Sequence, residues 1–102
     1  MNPLNKDGDA NNWLSCLRID PGCKVTPDMV MDALADKCNA ESRPIWKPLH
    51  LQPVFKDCDF IKAGDTDVAA DIFDHGLCLP SDIKNTPEDM EMIIRTIKEL
   101  FA

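Results

Sequence analysis

The sequence predicts a small α/β domain, a two-layer sandwich with helices on one face of a small sheet. Three observations predict it. Apolar residues recur with period two near residues 13–19 and with helical spacing over 27–39 and 87–101. The two patterns alternate along the chain as strand, helix, strand, helix, strand, helix, which is the order of a layered α/β unit. The 102 residues favour one domain, and a chain of this size buries about two thirds of its unfolded surface, enough to fold alone by a narrow margin.

Each element has a local reason. Residues 1–11 are polar, with Asp7-Gly8-Asp9 near their centre, and read as a flexible lead-in to a domain over 12–102. Trp13, Ser15, Leu17 and Ile19 alternate onto one face of a strand that Asp20-Pro21-Gly22 ends. Thr26-Pro27-Asp28 starts a helix: a hydroxyl cap, a proline in the first turn, then an acid suited to the dipole. Val30, Ala33, Leu34 and Cys38 form its buried face, and Asn39 is its stop.

Residues 43–55 hold Pro44, Pro48 and Pro53, which forbid a helix between them and limit ladder hydrogen bonds. The segment reads as an edge strand leading into an ordered loop. Val68, Ala69, Ile72 and Phe73 mark a second helix closed by Gly76. Leu77-Cys78-Leu79 is a third apolar strand. Thr86-Pro87-Glu88-Asp89 repeats the helix-start chemistry, and Met90, Ile93, Ile94, Ile97, Leu100 and Phe101 form the apolar face of a helix over 87–101.

Composition narrows the function. Hydrophobic residues make up 44% of the chain, too many for disorder. No run of about 18 apolar residues offers a membrane span, and the N-terminus has no apolar signal core, so the expected location is the cytoplasm. The net charge is −7, with eleven basic residues scattered among eighteen acidic ones. A phosphate-reading nucleic-acid binder needs a basic face, so that class is rejected. The five cysteines, Cys16, Cys23, Cys38, Cys58 and Cys78, are widely spaced with no CxxC. They read as reduced thiols packed as small apolar groups, with no zinc site or disulfide framework.

Several chemical motifs fail. No phosphate-cradling GxxxxGK[ST] or GxGxxG turn occurs. Asp7-Gly8-Asp9 opens like a calcium loop, but Asn12 and Arg18 stand where glycine and glutamate are needed. Ser15, Ser42 and Ser81 lack a nucleophile turn. Asp57, Asp59, Asp65, Asp67, Asp71 and Asp74 read as a solvated face with helix-start charge. His75, in the last turn of the second helix, suits the negative dipole end and reads as structural. His50 differs: it lies between two prolines, with Arg43, Lys47 and Gln52 nearby, and alternation puts Arg43 and Lys47 on one side. Such a set can hold an anion, the arginine by a forked contact and the lysine as a point charge. A polar loop packed over a domain edge accounts for the same residues.

The string Glu41-Ser42-Arg43-Pro44-Ile45-Trp46-Lys47-Pro48-Leu49-His50-Leu51-Gln52-Pro53 resembles a stretch near the end of the DegT/DnrJ/EryC1/StrS aminotransferases. Asn12-Trp13-Leu14-Ser15-Cys16-Leu17 is similar to the strand opening that family's small C-terminal domain, and Gly76-Leu77-Cys78-Leu79-Pro80-Ser81 to its later strand. The resemblance covers about residues 11–102. It implies a mainly antiparallel sheet, and a parent enzyme that uses pyridoxal phosphate to move an amino group, usually from glutamate, onto a nucleotide-linked keto sugar in polysaccharide or glycan biosynthesis. It also implies a homodimer in the intact enzyme.

By that resemblance, Arg43, Trp46, Lys47, His50 and Gln52 help bind the anionic nucleotide-sugar or shape its pocket, and none of them is catalytic. The family's cofactor lysine lies in its large domain, and none of the eight lysines here stands in a matching context. The expectation is a C-terminal fragment that holds no cofactor and is inactive alone. The alternatives are an independent α/β module that binds an anionic ligand or a partner protein, and a domain that only folds and self-associates to cover apolar surface.

Overall fold

The computed structural model of the chain describes residues 7–9, 11 and 13–102. Most of the proposed lead-in, and Asn12 of the first strand's motif, therefore lie outside the described residues; Asp7, Gly8, Asp9 and Asn11 are exposed. The elements are β1 (Ser15–Arg18), α1 (Pro27–Cys38), β2 (Arg43–Pro44), α2 (Val68–His75), β3 (Gly76–Leu79) and α3 (Pro87–Leu100), with single 3-10 turns at Leu49–Leu51 and Pro53–Phe55. The three strands form one antiparallel sheet in the order β1-β3-β2. The two-layer α/β expectation and its antiparallel sheet both hold.

Helix ends follow the local chemistry. The Thr26 hydroxyl accepts the Met29 N–H at 3.3 Å, and Asn39 ends α1 in the left-handed region at φ 48°. Thr86 and Asp89 form a reciprocal capping box: the Asp89 N–H donates to the Thr86 hydroxyl at 3.1 Å, and the Thr86 N–H donates to the Asp89 carboxylate at 2.9 Å. Each satisfies a donor that a helix start leaves unpaired.

The core joins both layers. Leu17 and Leu77 are cross-strand partners, and their face packs with Ile19, Val25, Val30, Leu34 and Ile93, so α1 and α3 cover this side of the sheet. Val30, Leu34 and Leu77 are fully buried; each such side chain contributes about 1.5–3 kcal/mol. On α3 the buried face is Ile93, Thr96, Ile97 and Leu100, while Ile94 and Met90, expected inside, are exposed. The buried hydroxyl of Thr96 lies 3.3 Å from the Cys38 thiol, which keeps a polar atom of the helix interface paired.

Three sequence expectations change. The first strand is shorter than residues 13–19: Trp13 lies outside it and is 68% exposed, although the Ile19 N–H still reaches the His75 carbonyl at 2.9 Å. The proline-rich segment contains two single helical turns. Pro48 precedes one and Pro53 opens the other, where a missing N–H loses no hydrogen bond. Gly76 does not close α2 in the left-handed region; its backbone is extended, at φ −110°, and it is already the first residue of β3. Glycine is required there by crowding, since a β-carbon would meet the Ile72 carbonyl oxygen at 2.4 Å and Ile45 Cγ1 at 2.7 Å.

Candidate functional site

The residues singled out by sequence fall into two neighbouring groups. Arg43 is the first residue of the edge strand, paired with Cys78 of the central strand. It and Trp46 line a groove of about 480 Å³, together with Trp13, Pro44, Leu79 and Ser81. That volume lies within the range of small-molecule sites, about 300–1,000 Å³. The groove sits where the ends of the strands meet: the Ser15 N–H donates to the Ser81 hydroxyl at 3.1 Å, and that hydroxyl donates to the Leu79 carbonyl at 3.0 Å.

Trp46 and Trp13 come from opposite edges of the sheet, yet their ring centroids are 6.0 Å apart with a 39° tilt. Trp46 is 64% exposed. An exposed indole pair presents broad π surface that suits a planar ring or the apolar face of a sugar. The Arg43 guanidinium donates to the Glu41 carboxylate at 2.7 Å. Both side chains are well exposed, so that pair is worth little and can be given up to a ligand anion. Among the described residues, Ser42 Oγ is a buried polar atom without a hydrogen-bond partner.

Lys47, His50 and Gln52 lie beyond the groove lining. Lys47 is exposed and has no ion-pair partner among the described residues. Gln52 turns back on its own loop, its amide donating to the Lys47 carbonyl at 3.2 Å. His50 is the most firmly held: its Nε2 lies 2.6 Å from Asp67 Oδ2, and its ring stacks on Phe60 at 3.7 Å and 7°. The structure thus groups Arg43 with Trp46 and gives His50 to Asp67.

Asp67 belongs to the acidic stretch that reads as a solvated face with helix-start charge, and it takes the helix-start role. Its Oδ1 accepts the Ala70 N–H at 3.0 Å, capping α2. That backbone hydrogen bond, with smaller contributions from His50 and Lys62, holds its carboxyl below the ordinary 3.8. Asp67 could have been found as a cap, since it immediately precedes the apolar start of α2. Its link to His50, 17 residues away, leaves no local signal. Trp13 and Phe60 were likewise missed as site neighbours. His75 lies in the last turn of α2, with Nδ1 2.9 Å from the Asp71 carbonyl.

The thiols are reduced and mostly covered, except Cys58, which is exposed. Cys16 and Cys78 face each other across β1 and β3 with sulfurs 3.8 Å apart. No group of three or more metal-ligating side chains occurs among the described residues, and no helix among them is long and apolar enough to cross a membrane.

A lysine that carries pyridoxal phosphate must be desolvated in a closed pocket so that its amine can lose a proton. Lys24, Lys37, Lys47, Lys56, Lys62, Lys84 and Lys98 are all exposed. Lys37 is paired with Glu99 at 3.3 Å, and Lys62 donates to the Asp65 carbonyl at 3.1 Å. The described lysines do not fit that role.

Comparison with known proteins agrees with the motif reading. Residues 1–98 match the model of the DegT/DnrJ/EryC1/StrS aminotransferase family. The chain is 39% identical over 95 residues to EpsN of Bacillus subtilis (strain 168), whose name describes a pyridoxal phosphate-dependent aminotransferase; the match covers 92% of this chain and 24% of that protein. It is 27% identical over 90 residues to the GDP-perosamine synthase of Caulobacter vibrioides, covering 88% of this chain and 23% of the synthase. The chain spans about a quarter of the length of these relatives.

Proposed function

The chain belongs to the DegT/DnrJ/EryC1/StrS aminotransferase family, and from that membership we propose that it supplies the substrate-side wall of a pyridoxal phosphate-dependent enzyme acting on nucleotide-linked keto sugars. The cofactor and its lysine belong to the remainder of such an enzyme, which takes its amino group from glutamate and works as a homodimer. The 102 residues alone are inactive in transamination. The setting is a cytoplasmic pathway of polysaccharide or glycan synthesis.

One observation carries the reading. The string from Glu41 to Pro53 is an ordered loop that keeps Trp46 and Lys47 exposed while His50 is locked in place. Ordering cationic, aromatic and hydrogen-bonding groups before a ligand arrives lowers the entropy lost on binding. The division of labour follows from chemistry. Trp46 and Trp13 offer stacking surface for a base or sugar ring. Arg43, released from Glu41, and Lys47 offer positive charge to a diphosphate. His50 offers a hydrogen-bonding edge to the sugar.

The test is a calorimetric titration of the 102-residue chain with uridine diphosphate glucose and guanosine diphosphate mannose, repeated on Trp46→Ala and His50→Ala. Saturable binding that each substitution weakens at least tenfold is expected. Equal binding by both variants sinks the assignment. A parallel absorbance scan with pyridoxal phosphate is expected to show only free cofactor and no turnover of glutamate.

A further inference from the structure

We infer that Asp67 is a positioning residue for His50: it sets the ring's tautomer and leaves Nδ1 as the nitrogen that meets the substrate. The inference rests on the reading of His50 as a substrate contact and names which atom makes it and what it can recognise.

Both oxygens of Asp67 are committed. Oδ1 accepts the Ala70 N–H at 3.0 Å, and Oδ2 faces His50 Nε2 at 2.6 Å. An ionised carboxylate has no proton to donate. The Ala70 hydrogen bond, and then His50 itself, favour that ionised form. The contact therefore requires the proton to reside on Nε2. Nδ1 is left with its lone pair in the neutral ring, and it has no hydrogen-bond partner among the described residues. Phe60, stacked at 3.7 Å and 7°, fixes the plane of the ring, and the carboxylate fixes which edge faces the cap of α2.

The hold is anchored to the fold. Asp67 caps α2, and α2 runs without a break into β3, the central strand. The imidazole on an otherwise surface loop is thereby tied to the sheet. His50 and Asp67 side chains are 16% and 27% exposed, so the contact is half shielded from water and stronger than a surface pair. A neutral ring presenting Nδ1 accepts a hydrogen bond. That suits a sugar hydroxyl, which can donate, and not a phosphate oxygen, which only accepts. His50 would thus read the sugar, leaving the phosphates to Arg43 and Lys47.

The test is the tautomer itself, read in long-range proton–nitrogen spectra of the nitrogen-15 labelled chain as the pH is raised until the ring signals stop moving, so that the neutral form is observed. His50 is expected to be protonated at Nε2. His75 is an internal control of opposite kind, because the Asp71 carbonyl accepts from its Nδ1 at 2.9 Å. In Asp67→Asn the amide oxygen can keep the Ala70 cap while the amide NH₂ faces the ring. His50 is then expected to switch to the Nδ1-protonated form, by at least tenfold in population, with His75 unchanged. An Nδ1-protonated or evenly mixed His50 in the native chain, or an unchanged tautomer in Asp67→Asn, overturns the inference. The spectra need no ligand, so they fail or succeed apart from the nucleotide-sugar titration.

Discussion

Gly76 sits against the carbonyl of Ile72 so closely that a β-carbon on it would lie 2.4 Å from that oxygen. Ile45 closes the other side, with Cγ1 2.7 Å from the same point. The direct passage from α2 into the central strand depends on this missing side chain. Gly76→Ala must push back either a helix carbonyl or the edge-strand loop, and overpacking of this kind costs about 1–3 kcal/mol, with the rigid backbone neighbour favouring the upper end. Urea unfolding followed by circular dichroism measures it. A loss below about 0.5 kcal/mol contradicts the crowding argument, since that is the scatter of ordinary surface changes.

The two faces of the helices are expected to respond differently. Leu34→Ala empties a fully buried site and is expected to cost about 2–5 kcal/mol. Ile94→Ala, on the exposed flank of α3 at 46% exposure, is expected to cost less than about 1 kcal/mol in the isolated chain. Equal losses in the unfolding curves would show that α3 is rotated from the orientation described.

These contrasts show what the sequence could reveal. Caps at Thr26 and Thr86 and the stop at Asn39 were legible because each depends on residues within one turn. The face of α3 was legible only in part. Period 3.6 marks a stripe, but which half of a broad stripe is buried depends on the partner, and α1 selects Ile93, Thr96 and Ile97 over Ile94 and Met90. Proline was read as excluding helix altogether, whereas a single turn accepts it at the first position, as at Pro53. The candidate site was legible as a string and not as a geometry. The contacts of His50 with Asp67, Trp46 with Trp13, and Cys16 with Cys78 join residues 17 or more positions apart, and nothing in the local pattern encodes them.

The capping box makes part of the stability pH-dependent. The Thr86 N–H and hydroxyl hold the Asp89 carboxyl below its ordinary 3.8. A carboxylate depressed in the folded state contributes stability that is present above its unfolded value and is lost as pH falls through its folded value. The melting temperature of the native chain is therefore expected to fall as the pH drops below about 4. Asp89→Asn should melt lower at neutral pH and show a shallower acid slope. A slope unchanged by the substitution removes Asp89 from the acid response.

Thiol reactivity should follow exposure, with Cys58 first and Cys78 last. Cys58 is exposed. Burial, together with the neighbouring Cys16 thiol, pushes Cys78 up to about 11. The thiolate is the reacting form, so at pH 8 only about one Cys78 in a thousand is ready to react. Brief alkylation with iodoacetamide at that pH, followed by peptide mass mapping, is expected to label Cys58 fully while Cys78 stays unmodified until the chain is denatured. Early labelling of Cys78 would mean that β1 and β3 separate readily. The cross-strand register of Cys16 with Cys78 would then describe a minor state of the sheet.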